Sequence, residues 1–324
     1  MDEGDSAIGV AGQLARAKRV RVAERLPLTY QHRRRRAGAL ATVAILALLA
    51  GAVVGAASGA GGAAARSSIA ASHGYLARIK ALPGRGAGSV AAEETRDENA
   101  AINRTLAYTP YVRIAGSQHR EVALTFDDGP GPYTPDIIRE LERRHTPATF
   151  FEVGVLEKYF QGATAALVAR GDPIGDHTEL HAPMSRLSRR DQRTQLLEDA
   201  AAIGASGAPF PRMFRPPYGL WDSTTLSLLK RYRMLMVLWS VDTNDYQQPG
   251  VATIVQRALA GARPGAIILL HDAGGNRSET VAALPQIIRG LRARGYKLVT
   301  VPRLLLDNPA PHDQDVAFLQ GSGG

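Results

Sequence analysis

The chain has 324 residues, a net charge of +9 and no cysteine. Its length suits one catalytic-size domain plus an appendage. The missing cysteine excludes disulfides, thiol nucleophiles and cysteine-type zinc sites.

The charge is concentrated at the start. Nine basic residues (Arg16, Lys18, Arg19, Arg21, Arg25 and the block 33–36) stand against Asp2, Glu3, Asp5 and Glu24, more than half of the net charge. A basic arm can bind nucleic acid, but this one abuts an apolar run. Residues 37–60 are Ala, Leu, Val, Ile and Gly, interrupted only by Thr42 and Ser58. About 20 such residues span a bilayer as a helix, and basic residues before the span favour a cytoplasmic N-terminal side. The expectation is a cytoplasmic tail (1–36) and an uncleaved single-pass transmembrane helix (37–60), with the rest of the chain extracellular. Anionic lipid is then the simpler partner for the arm, and no nucleic-acid binding is expected. Secretion after signal cleavage is the alternative. A basic region reaching Arg36 is long for a signal, and residues 55–65 offer many mediocre cleavage sites.

Residues 61–117 read as a linker and helical lead-in. The small-residue tract 55–65 is flexible, residues 83–89 break any helix before them, and residues 91–106 are helical. From residue 118 strands and helices alternate. In strand 122–126, Val122, Leu124 and Phe126 alternate with Ala123 and Thr125. It ends in Asp127-Asp128-Gly129-Pro130, turn chemistry that places two carboxylates where the strand stops. Adjacent strand residues face opposite sides, but at such an end both can lean toward one pocket. Alone, Asp-Asp-Gly reads as a solvated turn.

Helices follow at 135–144, with Thr134 as candidate N-cap, at 163–170, at 189–203, at 224–232 and at 251–262. A last helix, 279–294, carries a possible kink at Pro285. Strands are expected at 148–153, 234–241, 266–271 and 297–301, with a short extended piece at 212–215. The tail from residue 307 reads as disordered. Repeated βα units imply a parallel sheet with helices outside, a barrel or a doubly wound sheet. Asp127, Asp128, Asp242 and His271 fall at carboxyl ends of strands, the edge that carries ligands in both folds. No glycine-rich phosphate loop follows any strand, which argues against a nucleotide enzyme.

His177 and His181 are four apart, on one face of a helix or brought together by a turn. Imidazoles at this spacing are a moderately specific metal signature. Two histidines and one carboxylate leave positions open for water and substrate, and Asp128 is the natural third donor.

The segments TFDDGP (125–130), HTELH (177–181), RPPYG (215–219), VDTNDY (241–246) and LLHD (269–272) together resemble the five ordered motifs of the polysaccharide deacetylases, carbohydrate esterase family 4. The resemblance spans about residues 122 to 305, within a catalytic domain of 118–306. It implies an α/β fold, a distorted, incomplete (β/α) barrel of the seven-stranded type. It also implies a metal-dependent hydrolase that removes acetyl groups from N-acetylated glycans such as peptidoglycan or chitin-like polymers.

Carried over residue by residue, Asp128, His177 and His181 would hold a divalent metal. Zinc is the first choice, with Co2+, Ni2+ or Mn2+ as possible substitutes. The metal would acidify water and polarise the acetyl carbonyl. Asp127 would be the general base and Arg215 its partner through two parallel hydrogen bonds. The backbone N–H of Tyr218 would share the oxyanion. His271 would protonate the leaving amine, its pKa raised by either Asp242 or Asp245. Trp221 is the better sugar-stacking candidate and Trp239 the better core candidate, and Leu269 would wall the acetyl methyl. Tyr246 stands where the family motif usually has Trp, which puts the shape of the sugar groove in doubt but not the catalysis. Thr178 matches the family's hydroxyl between the histidines. Two other readings compete: an O-acetyl esterase acting on xylan or another glycan with the same site, and a non-catalytic wall-binding protein. The full set of base, acid and metal donors argues against the second.

Overall fold

A computed structural model of the chain describes residues 87–315. The expected tail and anchor, most of the linker, and residues 316–324 lie outside the described residues. Among the described residues no helix is long and apolar enough to cross a membrane.

The element that organises the sheet is β2 (Glu121–Gly129), buried along almost its whole length. It pairs in parallel with β3 (Thr149–Glu152), β8 (Ile267–His271) and β9 (Lys297–Leu298). Period-two alternation sorts its side chains. Val122, Leu124 and Phe126, with Ile268 and Leu270 of β8, face outward. They pack under α2 (Thr134–Arg143), α6 (Val251–Gly261) and α7 (Ser278–Ala293) through Ile137, Leu141, Ile254, Ala258, Leu284, Ile287 and Ile288. All of these side chains are fully buried, each except Ala258 worth about 1.5–3 kcal/mol relative to exposure. Ala123 of β2, with Ile267 and Leu269 of β8, belongs to the inner core. Asp127 and His271 continue those inward rows and stand opposite one another in the β2–β8 register.

The sheet runs β1 (Tyr111–Val112), β6 (Leu235–Val237), β5 (Met213–Phe214), β4 (Ile174–Asp176), β3, β2, β8, β7 (Val241–Asp242). The nine strands among the described residues exceed the seven expected, because several are only two or three residues long. The expected strand 234–241 is divided. Its first half pairs with β5 and β1, and its second half pairs with β8. One stretch of chain thereby runs from β6, next to one edge of the curled parallel sheet, to β7 at the other edge, and spans the gap of the incomplete barrel.

The amino ends of the strands are plugged by α1 (Ala87–Leu106) and α8 (Val301–Asp307). Ala101 and Ile102 of α1 and Val301, Leu304 and Leu305 of α8 enter the inner core. Helix α8 replaces the end of the expected strand 297–301. Thr300 caps it by accepting the Arg303 N–H, and Pro302 sits in its first turn, where a missing N–H costs nothing. The expected helix 163–170 is the second half of α3 (Gly154–Arg170), which is irregular at Phe160. Thr134 begins α2 rather than capping it; its hydroxyl accepts the Gly131 N–H and donates to Asp272. Residues 308–315, part of the tail expected to be disordered, pack on the lead-in. Gln314 Oε1 accepts the Arg113 and Ile114 N–H groups, and the Tyr108 hydroxyl donates to Ala310 O.

Candidate active site at the carboxyl ends of the strands

The two adjacent aspartates reach one pocket because alternation fails where β2 ends. Asp128 has φ 74°, in the left-handed region, and the β2–β3 register shifts between Asp127 and Gly129. An L-residue rarely adopts this conformation. Here it turns the Asp128 side chain to the same side as Asp127. His177 and His181 are brought together by a turn, not a helix, with Thr178 at φ 71° and His181 at φ 51°. The Thr178 hydroxyl ties that turn by accepting the Ala182 N–H.

Asp128 Oδ1 lies 3.1 Å from His181 Nε2 and 3.5 Å from His177 Nε2. The three residues each offer a ligand atom within 4.8 Å of the others. The donor chemistry fits a divalent cation. His177 Nδ1 lies 2.7 Å from the Arg215 carbonyl. A carbonyl only accepts, so Nδ1 carries the proton and Nε2 offers its lone pair. His181 Nδ1 is 3.0 Å from the Tyr218 hydroxyl. Burial disfavours charge on both Asp128 and His177. Contacts with His177 and His181 nevertheless hold the Asp128 carboxyl well below its usual range, and Asp127 and Asp128 raise His177. A cation would take the place of the proton that these pairs share.

Asp127, 3 % exposed, lies outside that donor set. Its Oδ1 accepts one hydrogen bond, 2.6 Å, from Arg215 Nη1. The expected two parallel bonds are absent. Arg215 spends Nε on Val237 O (2.9 Å) and Nη2 on Leu238 O (3.3 Å), while Nη1 also reaches the Thr125 hydroxyl. Its guanidinium is fully buried over the Phe151 ring.

Across the pocket, His271 Nδ1 is 2.8 Å from Asp245 Oδ1. Asp245 also accepts the His271 backbone N–H and the hydroxyls of Thr280 and Thr243. Asp245 is therefore the partner of His271. Asp242 is not: its carboxylate accepts the Asn244 N–H, and burial raises its pKa. Burial opposes a charged His271, but Asp245, then Asp128 and Asp127, push it up to about 9.

Asp127, Asp128, His177, His181 and His271 line a cleft of about 450 Å³ with Val153, Val155, Leu156, Leu180, Pro216, Tyr218, Trp239, Tyr246, Leu269, Gly274 and Arg277. Tyr218 (φ 59°) is held in the 3-10 turn Pro217–Gly219. Trp239 is a member of the inner core, as expected, but it is also the tryptophan that reaches the cleft. Trp221 instead packs against the inner core 6.0 Å from the Tyr111 ring and is not part of the lining. Tyr246 meets His271 edge-on, ring centres 5.4 Å apart.

Three groups escaped the sequence reading. Asp199, fully buried on α4 (Arg189–Ala205), accepts the His177 N–H at 2.8 Å, and Asp176 accepts the Thr178 N–H at 3.0 Å. Burial pushes Asp176 up to about 7 and Asp199 well above the usual range. The third is Arg277. A carboxylate at a strand end, another on a largely polar helix and an arginine in a glycine-rich loop carry the same sequence signal as solvated surface.

A family model described as polysaccharide deacetylase matches residues 115–237. A chitooligosaccharide deacetylase of Sinorhizobium fredii is 37% identical over 212 residues, covering 62% of this chain and 99% of that protein. The crystal structure of the Bc1960 peptidoglycan N-acetylglucosamine deacetylase aligns with TM-score 0.59 at 30% identity, over 63% of this chain and 95% of that one. BA3943 from Bacillus anthracis, described as a pseudoenzyme of carbohydrate esterase family 4, aligns with TM-score 0.57 at 29% identity, over 61% of this chain and 69% of that one.

Proposed function

The chain belongs to the polysaccharide deacetylase family, and from that premise we propose that it hydrolyses the acetamide of N-acetylated sugars in a cell-wall polysaccharide. The observation that carries this reading is the convergence, on one strand edge, of a cation-donor set, a separate carboxylate and a carboxylate-paired imidazole. A protein that only binds sugar needs none of the three. In this respect the chain has what turnover requires, even though BA3943 is described as a pseudoenzyme.

Asp128, His177 and His181 would hold a divalent cation, with zinc our first choice because two imidazoles and a carboxylate suit it. When bound, that cation supplies Lewis acidity toward the acetyl carbonyl and the attacking water. Asp127 acts as general base. Arg215 holds its Oδ1, which leaves Oδ2 to receive the proton, and full burial keeps this carboxylate from wandering. His271 gives its Nε2 proton to the departing amine, and a pKa near 9 keeps that proton in place at neutral pH. The Tyr218 N–H supports the carbonyl oxygen as negative charge builds there. Leu269 and Trp239 enclose the acetyl methyl, and Tyr246 walls the sugar beside His271.

The basic segment 1–36 and apolar segment 37–60 support a membrane-tethered enzyme facing the wall. Protease shaving of intact cells, with and without permeabilisation, tests that placement; a catalytic domain that survives in intact cells and is cut only after permeabilisation refutes it. The activity is tested by acetate release from N-acetylglucosamine oligomers and wall fragments by the full chain with added zinc. An O-acetylated xylan run alongside separates amide from ester cleavage. Release from neither amide substrate refutes the reading.

A further inference from the structure

Arg277 stands immediately before α7 and is 4 % exposed, yet it lines the cleft. Its guanidinium is anchored by backbone carbonyls from two loops. Nε donates to Ala273 O at 2.6 Å, and Nη1 to Tyr246 O at 3.4 Å and Asn276 O at 3.3 Å. An arginine fixed in this way has little freedom left. The remaining nitrogen, Nη2, donates no hydrogen bond among the described residues and faces Asp128 Oδ2 at 3.9 Å.

The two oxygens of Asp128 thus have different neighbours. Oδ1 faces the His177 and His181 Nε2 atoms, and Oδ2 faces a fixed cation. The loop that carries Arg277 also presses on Oδ2: Gly274 (φ 75°) sits so close that any Cβ there would collide with it. A carboxylate turns easily about its last bond, which has a broad two-fold profile. Something must decide which oxygen points at the imidazoles.

We infer that Arg277 is a positioning residue for Asp128, holding Oδ2 so that Oδ1 is the oxygen offered to the cation. The inference rests on the proposed cation site. Groups behind a metal ligand commonly set affinity in this way, and their loss costs about 10–100-fold. Two simpler roles predict something else. A guanidinium acting only as a positive charge would repel a neighbouring cation, so its removal would tighten binding. A clamp that merely joins two loops would affect melting and leave affinity alone.

The experiment measures zinc affinity of the full chain by chelator competition, with the visible spectrum of the cobalt-loaded protein as a second readout. Wild type, Arg277→Gln and Arg277→Lys are compared after chelator treatment and a thermal melt. Arg277→Gln is expected to bind zinc at least tenfold more weakly and to give an altered cobalt spectrum. Arg277→Lys, which keeps the charge beside Oδ2 but loses the fork, is expected to fall between it and wild type. Wild-type or tighter affinity in either variant overturns the inference, whatever happens to the melt. If wild type itself binds neither metal, the cation site falls and this inference with it, a result distinguishable from the first.

Discussion

Replacing Asp245 with asparagine tests the proposed acid directly. Asn keeps an oxygen to accept the Nδ1 proton and changes the volume little, but it removes the charge 2.8 Å from His271 Nδ1. His271 stands at about 9, against about 6.5 for an unperturbed imidazole. At about 1.4 kcal/mol per pH unit, the difference is on the order of 3 kcal/mol in favour of the charged form. Burial works in the opposite direction. Without Asp245, only Asp128 and Asp127 oppose burial, and a bound cation would offset those two.

The His271 pKa should therefore fall by about two pH units or more in Asp245→Asn. Wild type should keep its acid protonated to about pH 9, whereas the variant should lose it around neutrality. In kcat/KM against pH, the alkaline limb should move down by that amount. At pH 8.5 the rate should drop by about 25–75-fold, the fall in the protonated fraction of His271 for a shift from about 9 to about 6.5–7. The imidazole proton resonances of His271 in cation-free protein give the titration independently of turnover. If His271 still titrates near 9 in the variant, or the alkaline limb stays where it was, the assignment of Asp245 is wrong.

Other expectations follow from the same geometry. Asp127→Asn should retain zinc by chelator competition while acetate release falls by about 10²–10⁴, and His177→Ala should lose the zinc; equal zinc content in His177→Ala and wild type refutes the ligand set. Arg215→Met would leave Asp127 buried without its countercharge, a loss of about 3–5 kcal/mol. That is on the order of 10 °C in the melt of a domain this size, and an unchanged melt refutes the pairing. Cation-free protein should be more stable at pH 5 than at pH 9. Burial raises Asp176 and Asp272 to about 7, so between about 4 and 7 the folded chain holds protons that the unfolded chain has released, and stability falls as pH rises. His271 acts in the same direction, its contribution complete below about 6.5 and lost as pH rises through about 9. Asp128 and Asp245, held below their usual range, lose their contribution only in acid. A melt in chelator that is higher at pH 9 than at pH 5 refutes this balance.

What could be read in advance was whatever repeats along the chain. The alternation of Val122, Leu124 and Phe126 gave away the face that packs under the helices, and the five motifs gave away the groups on the opposite row. Groups whose role depends on distant neighbours were not legible. Asp242 ends β7 and Asp245 stands three residues beyond it; only the fold brings Thr280 and the His271 N–H to one of them. Only the fold shows that Trp239 reaches the cleft and Trp221 does not, and Arg277 is set apart by the carbonyls that surround it. The division of residues 234–241 into two strands has little local signal either, since the stretch is apolar except for Ser240 and suits a strand.

That division links the span across the barrel's gap to catalysis. Where the chain leaves β1 and β5 and before it joins β8, the carbonyls of Val237 and Leu238 need donors other than a neighbouring strand. A buried carbonyl without one is costly. Arg215 supplies both bonds. Satisfying this seam fixes two of its three nitrogens and directs the third at Asp127. The seam also sets the stretch that continues to Asp245, the partner of His271. A substitution that lets residues 237–240 slip would therefore disturb the base and the acid together, although none of those residues need carry a proton. Ser240 offers the mildest case: its N–H donates to Ile267 O and its hydroxyl accepts the Ile267 N–H. Ser240→Pro removes both bonds and should cost activity and stability together. Full activity in that variant would separate the seam from the site.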